Sequence, residues 1–473
     1  MHRLLTLSLL PLLALACAKA PPVTEPEIDL EVPQSWSVDG ASDLEVHGEW
    51  WTTFEDPRLD DLIELALERN WDLQAALARV DRAEAQARIA GADLKPSIDA
   101  GLNAGRQQVN FLGFPIGGNS TFNRYDASVN LFWEVDLWGR LRAGASAAIA
   151  DVQASESDLR GVRQSLAGRT AKLWFAIAEA QEQVNLATES VESFRGVASK
   201  IRSRYIKGVR PALDLRLALS NMTAAEASLA SRNRQLDGLV RQLEVLLGDY
   251  PDRDIEESYA IENLLPTPPP VPAGLPADLV ARRPDLVSAE RRLAAADKRW
   301  VSAKRSLYPR LSLTGSGGAS SSEFGDLLDG DFSVWSIAGG LVQPIFQGGR
   351  LRANIAGSAA TKDEALALYA GSVLQAYSEV ETALAAEGFL HDRERHLAES
   401  AHQLIAAEKL AGDRYRFGVG TYLELLESQT RSFITQSELL TVRRQRLENR
   451  VNLHLALGGG FEMNTDTSAA TES

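Results

Sequence analysis

The residues able to do covalent or metal chemistry are few, and their spacing excludes most of it. The six histidines are His2, His47, His391, His396, His402 and His454, and none forms the four-residue helical pair that grips a metal. His391 and His396 are five apart among charges, which suits a solvated face. Gly315, Gly317 and Gly318 are not followed by Gly-Lys-Ser or Gly-Lys-Thr, so they make no phosphate loop. With one cysteine, Cys17, there is neither an intrachain disulfide nor a cysteine metal cluster. A catalytic centre is therefore not expected, nor a metal or a cofactor. A net charge of −15 argues against a nucleic-acid partner.

Cys17 has one chemistry open to it. Arg3 precedes an apolar run, Leu4 to Ala16, that Pro11 interrupts, too short to span a bilayer and laid out like a secretory signal over residues 1–16. Ala14-Leu15-Ala16-Cys17 resembles a bacterial lipobox, whose cysteine is acylated and becomes the mature N-terminus. Ala14 departs from the usual Leu, which stands one earlier as Leu13. Ala18 after the cysteine implies, by the same resemblance, sorting to the outer membrane. A covalent lipid on Cys17 is the expectation, with an ordinary signal peptide as the alternative. One acyl chain holds only marginally, so a second anchoring device is required.

These residues sit in a chain that repeats itself. Arg204-Tyr205-Ile206-Lys207-Gly208-Val209 returns as Arg414-Tyr415-Arg416-Phe417-Gly418-Val419, a shift of 210 (414 − 204). Gly139-Arg140-Leu141-Arg142-Ala143 returns at Gly349, and Leu247-Gly248 at Leu457-Gly458, by the same shift. Upstream, Asp72-Leu73 and Pro96 return as Asp285-Leu286 and Pro309 with a shift of 213. This is too long for a solenoid unit of ~20–50 residues, and reads as a duplicated half-protein. The expected organisation is an extended segment over 17–56, a first repeat over 57–248, a Pro- and Asp-rich linker over 249–276, a second repeat over 277–458 and a disordered tail over 459–473.

Within the first repeat, Asp56 and Pro57 cap and open a helix expected to run to Leu94, and Pro96 stops it. The period then becomes two. Tyr125, Ala127, Val129, Leu131, Trp133, Val135 and Leu137 lie on one side of a strand; Asp126, Ser128, Asn130, Glu134 and Asp136 lie on the other, with Phe132 out of pattern. Ser97 to Gln107 alternates likewise. Strands this long exceed the ~5–6 residues usual in soluble sheets and meet the ~9–11 of a membrane strand. Trp133, Val135 and Leu137 suit lipid; Glu134 and Asp136 suit a water-filled lumen favouring cations, or simply its solvated wall. From Trp138 to Ile206 an apolar seam predicts one helix ~100 Å long. Gly208 and Pro211 turn it into a return helix, Ala212 to Leu247. The second repeat predicts helices from Pro284, strands at Leu311 and over Phe332 to Phe346, then helices Gln347 to Phe417 and Tyr422 to Leu457. Four strands cannot seal an edge in lipid, so several copies must share one barrel.

The chain resembles the outer-membrane efflux proteins of the TolC group, in the lipoprotein branch that includes OprM and NodT. The resemblance rests on Trp50-Trp51 with Phe54 and Asp56-Pro57, on Val135-Asp136-Leu137-Trp138-Gly139-Arg140, and on Arg282-Arg283-Pro284-Asp285. It extends through Gly348-Gly349-Arg350 to Ala456-Leu457-Gly458-Gly459-Gly460. It implies an α+β membrane protein: a homotrimeric 12-stranded outer-membrane β-barrel continued by a long periplasmic α-helical barrel. It further implies a passive channel for small molecules, partnered by a periplasmic adaptor and a proton-driven inner-membrane pump. A polypeptide-secretion channel and a non-channel coiled-coil spacer are the alternatives. By the same resemblance, the turns holding Arg204, Gly208, Pro211 and Asp214, and Arg414, Gly418, Thr421 and Glu424, contact the adaptor. Tyr415 is then a gate residue, with core packing as the alternative. Gly420 stands where many relatives carry an acid, which removes the expected acidic ring at that position.

Overall fold

A computed structural model describes residues 18–22, 36, 49–110, 119–252 and 282–459. Cys17, the signal segment, most of the linker and the tail beyond 459 lie outside the described residues. The helices are α1 (Pro57–Arg69), α2 (Trp71–Ala92), α3 (Arg140–Ile206), α4 (Ala212–Leu247), α5 (Pro284–Arg305), α6 (Arg350–Arg416) and α7 (Tyr422–Ala456). The strands are β1 (Ser97–Asn110), β2 (Asn119–Val135), β3 (Arg310–Ser321) and β4 (Ser333–Val342). The two long helices each have 67 residues and start 210 apart (350 − 140), so the duplication holds to the residue. The glycines that end and begin them share left-handed backbones: Gly139 and Gly349 at φ 78° and 83°, Gly208 and Gly418 at 74° and 79°.

The described chain forms two compact units, each drawing on both sequence repeats rather than matching one. The first comprises 18–22, 78–110, 119–157 and 288–371. Its sheet is antiparallel, in the order β1-β2-β3-β4. Residues directly opposite across a ladder share a face. The register therefore gathers Ile98, Leu102, Val129, Leu131, Leu313, Trp335, Ile337 and Leu341 on one side. Asp99, Asn103, Asp126, Asn130, Glu134, Thr314, Ser316 and Ser336 fall on the other. The polar side is knitted by hydroxyls, with Ser316 bonded to Ser336 at 2.8 Å and Ser320 donating to Asp126 at 2.7 Å.

Trp133 corrects the lipid-face expectation at that position. It is buried, and its indole N–H donates to the Leu94 carbonyl at 3.0 Å. Just past the strands, Trp138 donates to the Pro309 carbonyl at 2.8 Å and lies against Tyr308. β4 ends at Val342, short of the expected Phe346; Ile345 and Phe346 are exposed.

The second unit comprises 36, 49–77, 158–252, 282–287 and 372–459. Trp50, Trp51 and Phe54 plug into its core beside Leu59, Leu62, Ile63 and Phe175. Asp56 caps α1 by accepting from Arg58 N, and also takes the Trp174 indole N–H at 3.0 Å. The helix expected from Pro57 to Leu94 is broken at Asn70, whose ψ is 129°. The Asn70 amide donates to Leu246 O at 2.7 Å and accepts from Leu73 N, so side-chain bonds replace the lost helical ones. Polar pairs line the helix seams: Glu179 on α3 accepts from Thr441 and Arg444 on α7, and Glu387 on α6 accepts from Arg446 and Arg450 on α7.

Candidate functional site

The two helix turns are built alike. In the first, Gly208 N closes on Tyr205 O and Val209 N on Arg204 O, at 2.8 and 2.9 Å; in the second, Gly418 N and Val419 N repeat this on Tyr415 O and Arg414 O. Positive φ at both glycines makes the reversal free of Cβ strain. The return helices are capped differently. Thr421 and Glu424 form a capping box at the start of α7, each side chain bonding the other's backbone. Pro211 offers no side-chain cap to α4, and Asp214 instead pairs with Arg210 at 3.7 Å.

Tyr415 ties one turn to the other. Its ring is buried, with Tyr422, Leu425, Ile201 and Ala218 around it. The Arg204 and Arg210 guanidinium carbons each lie 5.1 Å from the ring centroid, within cation–π range. Arg204 also donates to the Arg416 carbonyl at 3.3 Å. The Tyr415 hydroxyl is buried without a hydrogen-bond partner, so packing and the two cations hold the ring, not the phenol. Desolvation raises the pKa of neighbouring Tyr422, against a lowering hydrogen bond from Asn221. The structure thus brings Arg204, Gly208, Asp214, Arg414, Gly418, Thr421, Glu424 and Tyr415 into one end of the unit.

Arg210 was missed from the sequence. Its signal was a break in the repeat, since Arg210 aligns with Gly420 at the shift of 210 (420 − 210). Gly420 is tightly placed: a Cβ there would stand 3.0 Å from Arg414 Cβ and 3.1 Å from Tyr415 N, so a side chain would need the neighbouring turn to give by a few tenths of an ångström. Beside Tyr415 a cleft of about 740 Å³ is lined by Glu189, Lys200, Arg204, Glu408 and Gln429. Burial pushes the Glu408 carboxyl above its usual range, opposed by hydrogen bonds from Ser432 and Gln429. Around the turns Ile206, Val209, Leu213, Phe417, Val419 and Leu423 are exposed, an apolar fringe on both hairpins.

The two lumen candidates part company. Glu134 stays on the polar face of β2 but pairs with Arg140 at 2.8 Å. Asp136 lies beyond the strand, where its carboxylate accepts from Leu141 N and Arg142 N at 3.1 and 2.9 Å. It caps α3, which accounts for an acid at that position without a lumen role.

The family model described as "Outer membrane efflux protein" matches residues 62–249 and again 275–459, one stretch in each repeat. The chain belongs to the outer membrane efflux protein family. Its relatives in that family include the pyoverdine export outer membrane protein OpmQ of Pseudomonas putida KT2440, 33% identical over 469 residues and covering 98% of both chains. The solvent efflux pump outer membrane protein SrpC of Pseudomonas putida is 33% identical over 410 residues, 87% of each chain. Among solved structures, the outer-membrane channel OprN superposes with a TM-score of 0.84 at 26% identity, covering 93% of this chain and 99% of that one. As a family member the chain is an efflux component of the outer membrane, extending into the periplasm.

Proposed function

We propose that three copies of the chain form a passive outer-membrane channel that exports small toxic or secreted molecules, without catalysing any reaction. A periplasmic adaptor and an inner-membrane pump, probed below as a set, deliver the cargo and supply the energy. The observation that carries this reading is the four-stranded sheet, with strands of 14, 17, 12 and 10 residues and one polar face. These lengths meet the ~9–11 residues a tilted strand needs to cross a bilayer. Among the described residues β1 and β4 each have one neighbour, and lipid tolerates no open edge. Three copies give twelve strands, enough for a lumen. The efflux roles named for OpmQ and SrpC support a small-molecule cargo. In this reading the fringed turns receive the adaptor, the Tyr415 clamp holds the channel's periplasmic end closed, and Cys17 carries a lipid anchor.

The test is reconstitution. Purified chain in planar bilayers is expected to give stepwise conductance. Together with its adaptor and pump it is expected to restore solvent or siderophore export to a host lacking its own outer-membrane channel. A sample that stays monomeric, or bilayers that stay electrically silent, refutes it.

A further inference from the structure

Phe132 breaks the alternation of β2, and the duplication repeats the break. At the shift of 210 (342 − 132) its counterpart is Val342, the last residue of β4. The ladders agree: Ser97 pairs with Phe132 as Arg310 pairs with Val342, so the two hairpins of the sheet share one register. Both residues fall on the polar face, Phe132 in a row with Ser97, Thr314 and Ala338, and Val342 beside Arg310. Phe132 is 52% exposed and Val342 64%. Val334 is exposed on that face too, but its counterpart is Arg124 (334 − 210), so that exception is not repeated.

The neighbours leave the phenylalanine ring open. Across β3 and β4 the same face carries Ser312, Thr314, Ala338 and Gly340, all small, and the two hydroxyls donate to the Gly340 and Ala338 carbonyls at 3.4 Å. Phe132 thus rises from a floor of short side chains. Among the described strand residues it is the one exposed aromatic on this face, since Trp335 lies on the other.

We propose that Phe132 and Val342 of three copies form an apolar collar at the periplasmic base of the barrel lumen, and that this collar is a contact site for aromatic and other apolar cargo. This deepens the trimeric channel reading and rests on it. Equivalent positions of a duplicated hairpin recur at one height around a shared barrel, so the collar alternates three phenylalanines with three valines. It stands at the base because β2 and β4 lead directly into the long helices α3 and α6. Pairing β4 with β1 of the next copy uses the strand edges and leaves this face uncovered. Twelve strands ~4.8 Å apart and tilted ~40° enclose a backbone circle roughly 24 Å across, which the side chains narrow further. A drug-sized molecule passing there meets the collar. Charge does not select it: Asp99, two residues along β1 from Ser97, and Arg310 beside Val342 are both exposed and opposite in sign. Apolar and aromatic contact is what the collar offers in an otherwise polar wall.

The test is single-channel recording of the full-length protein in planar bilayers, with tetraphenylphosphonium as the aromatic cation and tetramethylammonium as the cation without rings. On the wild type, tetraphenylphosphonium is expected to interrupt the current in resolved blocks. Phe132→Leu keeps the bulk and removes the ring, and should shorten those blocks roughly 2- to 12-fold, the factor that an aromatic pair adds beyond its buried area. Phe132→Ser should shorten them further, and Phe132→Trp should keep them long. The current carried by tetramethylammonium should stay as in the wild type throughout. Equal block times in the wild type and Phe132→Leu, or a parallel change in the tetramethylammonium current, overturn the proposal. Normal conductance with unchanged block refutes the collar alone; wild-type bilayers that stay silent refute the channel, and the collar with it.

Discussion

Replacing Tyr415 by leucine asks whether its ring holds the two turns together. The side chain is 4% exposed and lies between the Arg204 and Arg210 guanidinium groups, each 5.1 Å from the ring centroid. Leucine keeps apolar contact with Tyr422 and Leu425 but offers no π face. A cation–π contact contributes ~0.5–1 kcal/mol where exposed and ~2 kcal/mol where desolvated. Two partly covered contacts are thus worth about 1–3 kcal/mol. At ~1.4 kcal/mol per factor of ten, the open-to-closed ratio should rise roughly 5- to 140-fold. Tyr415→Phe keeps the ring and removes a buried hydroxyl that has no partner, so it should open no more often than the wild type. Single-channel recording in planar bilayers reads both. If the leucine variant matches the wild type, or the phenylalanine variant opens as readily as the leucine one, the clamp argument fails.

His454 should make the second unit acid-sensitive. It stacks on Trp50 at 5.3 Å, and burial, then the nearby Arg450 charge, lowers its pKa from 6.5 to about 4. The unfolded chain therefore binds a proton that the folded one refuses, and stability should fall by on the order of 3 kcal/mol as pH drops from about 6.5 to 4. His454→Phe should flatten that dependence in thermal melts at pH 7.5 and pH 5; an equal loss in both proteins would contradict it. Gly318→Ala should impair barrel assembly, because its Cβ would meet the Ala127 carbonyl oxygen and the Ser128 Cα in the paired strand. Normal yield of folded, heat-resistant oligomer would show that the strands can part to admit it.

Local, strongly patterned features were legible in the sequence. Asp56-Pro57, the glycines after each long helix and the prolines before β1 and β3 act within a few residues, and each did what its type dictates. The alternation along β2 placed the polar and apolar faces correctly through Leu131. What was not legible depends on partners far along the chain. Asn70 breaks a helix by bonding Leu246, 176 residues away. Trp133 looks lipid-facing until Leu94 covers it. Asp136 continues the alternation of β2 but belongs to the next helix. Arg210 joins the Tyr415 clamp only because two turns 210 residues apart come together.

The equal lengths of α3 and α6 place a rule on how such a chain can evolve. An extra heptad gained by one of them alone would carry its hairpin tip past the other, and Tyr415 would no longer meet Arg204 and Arg210. Insertions and deletions in these helices should therefore arise in matched pairs, one per half, so that the ancestral doubling still acts as a ruler read twice in every descendant.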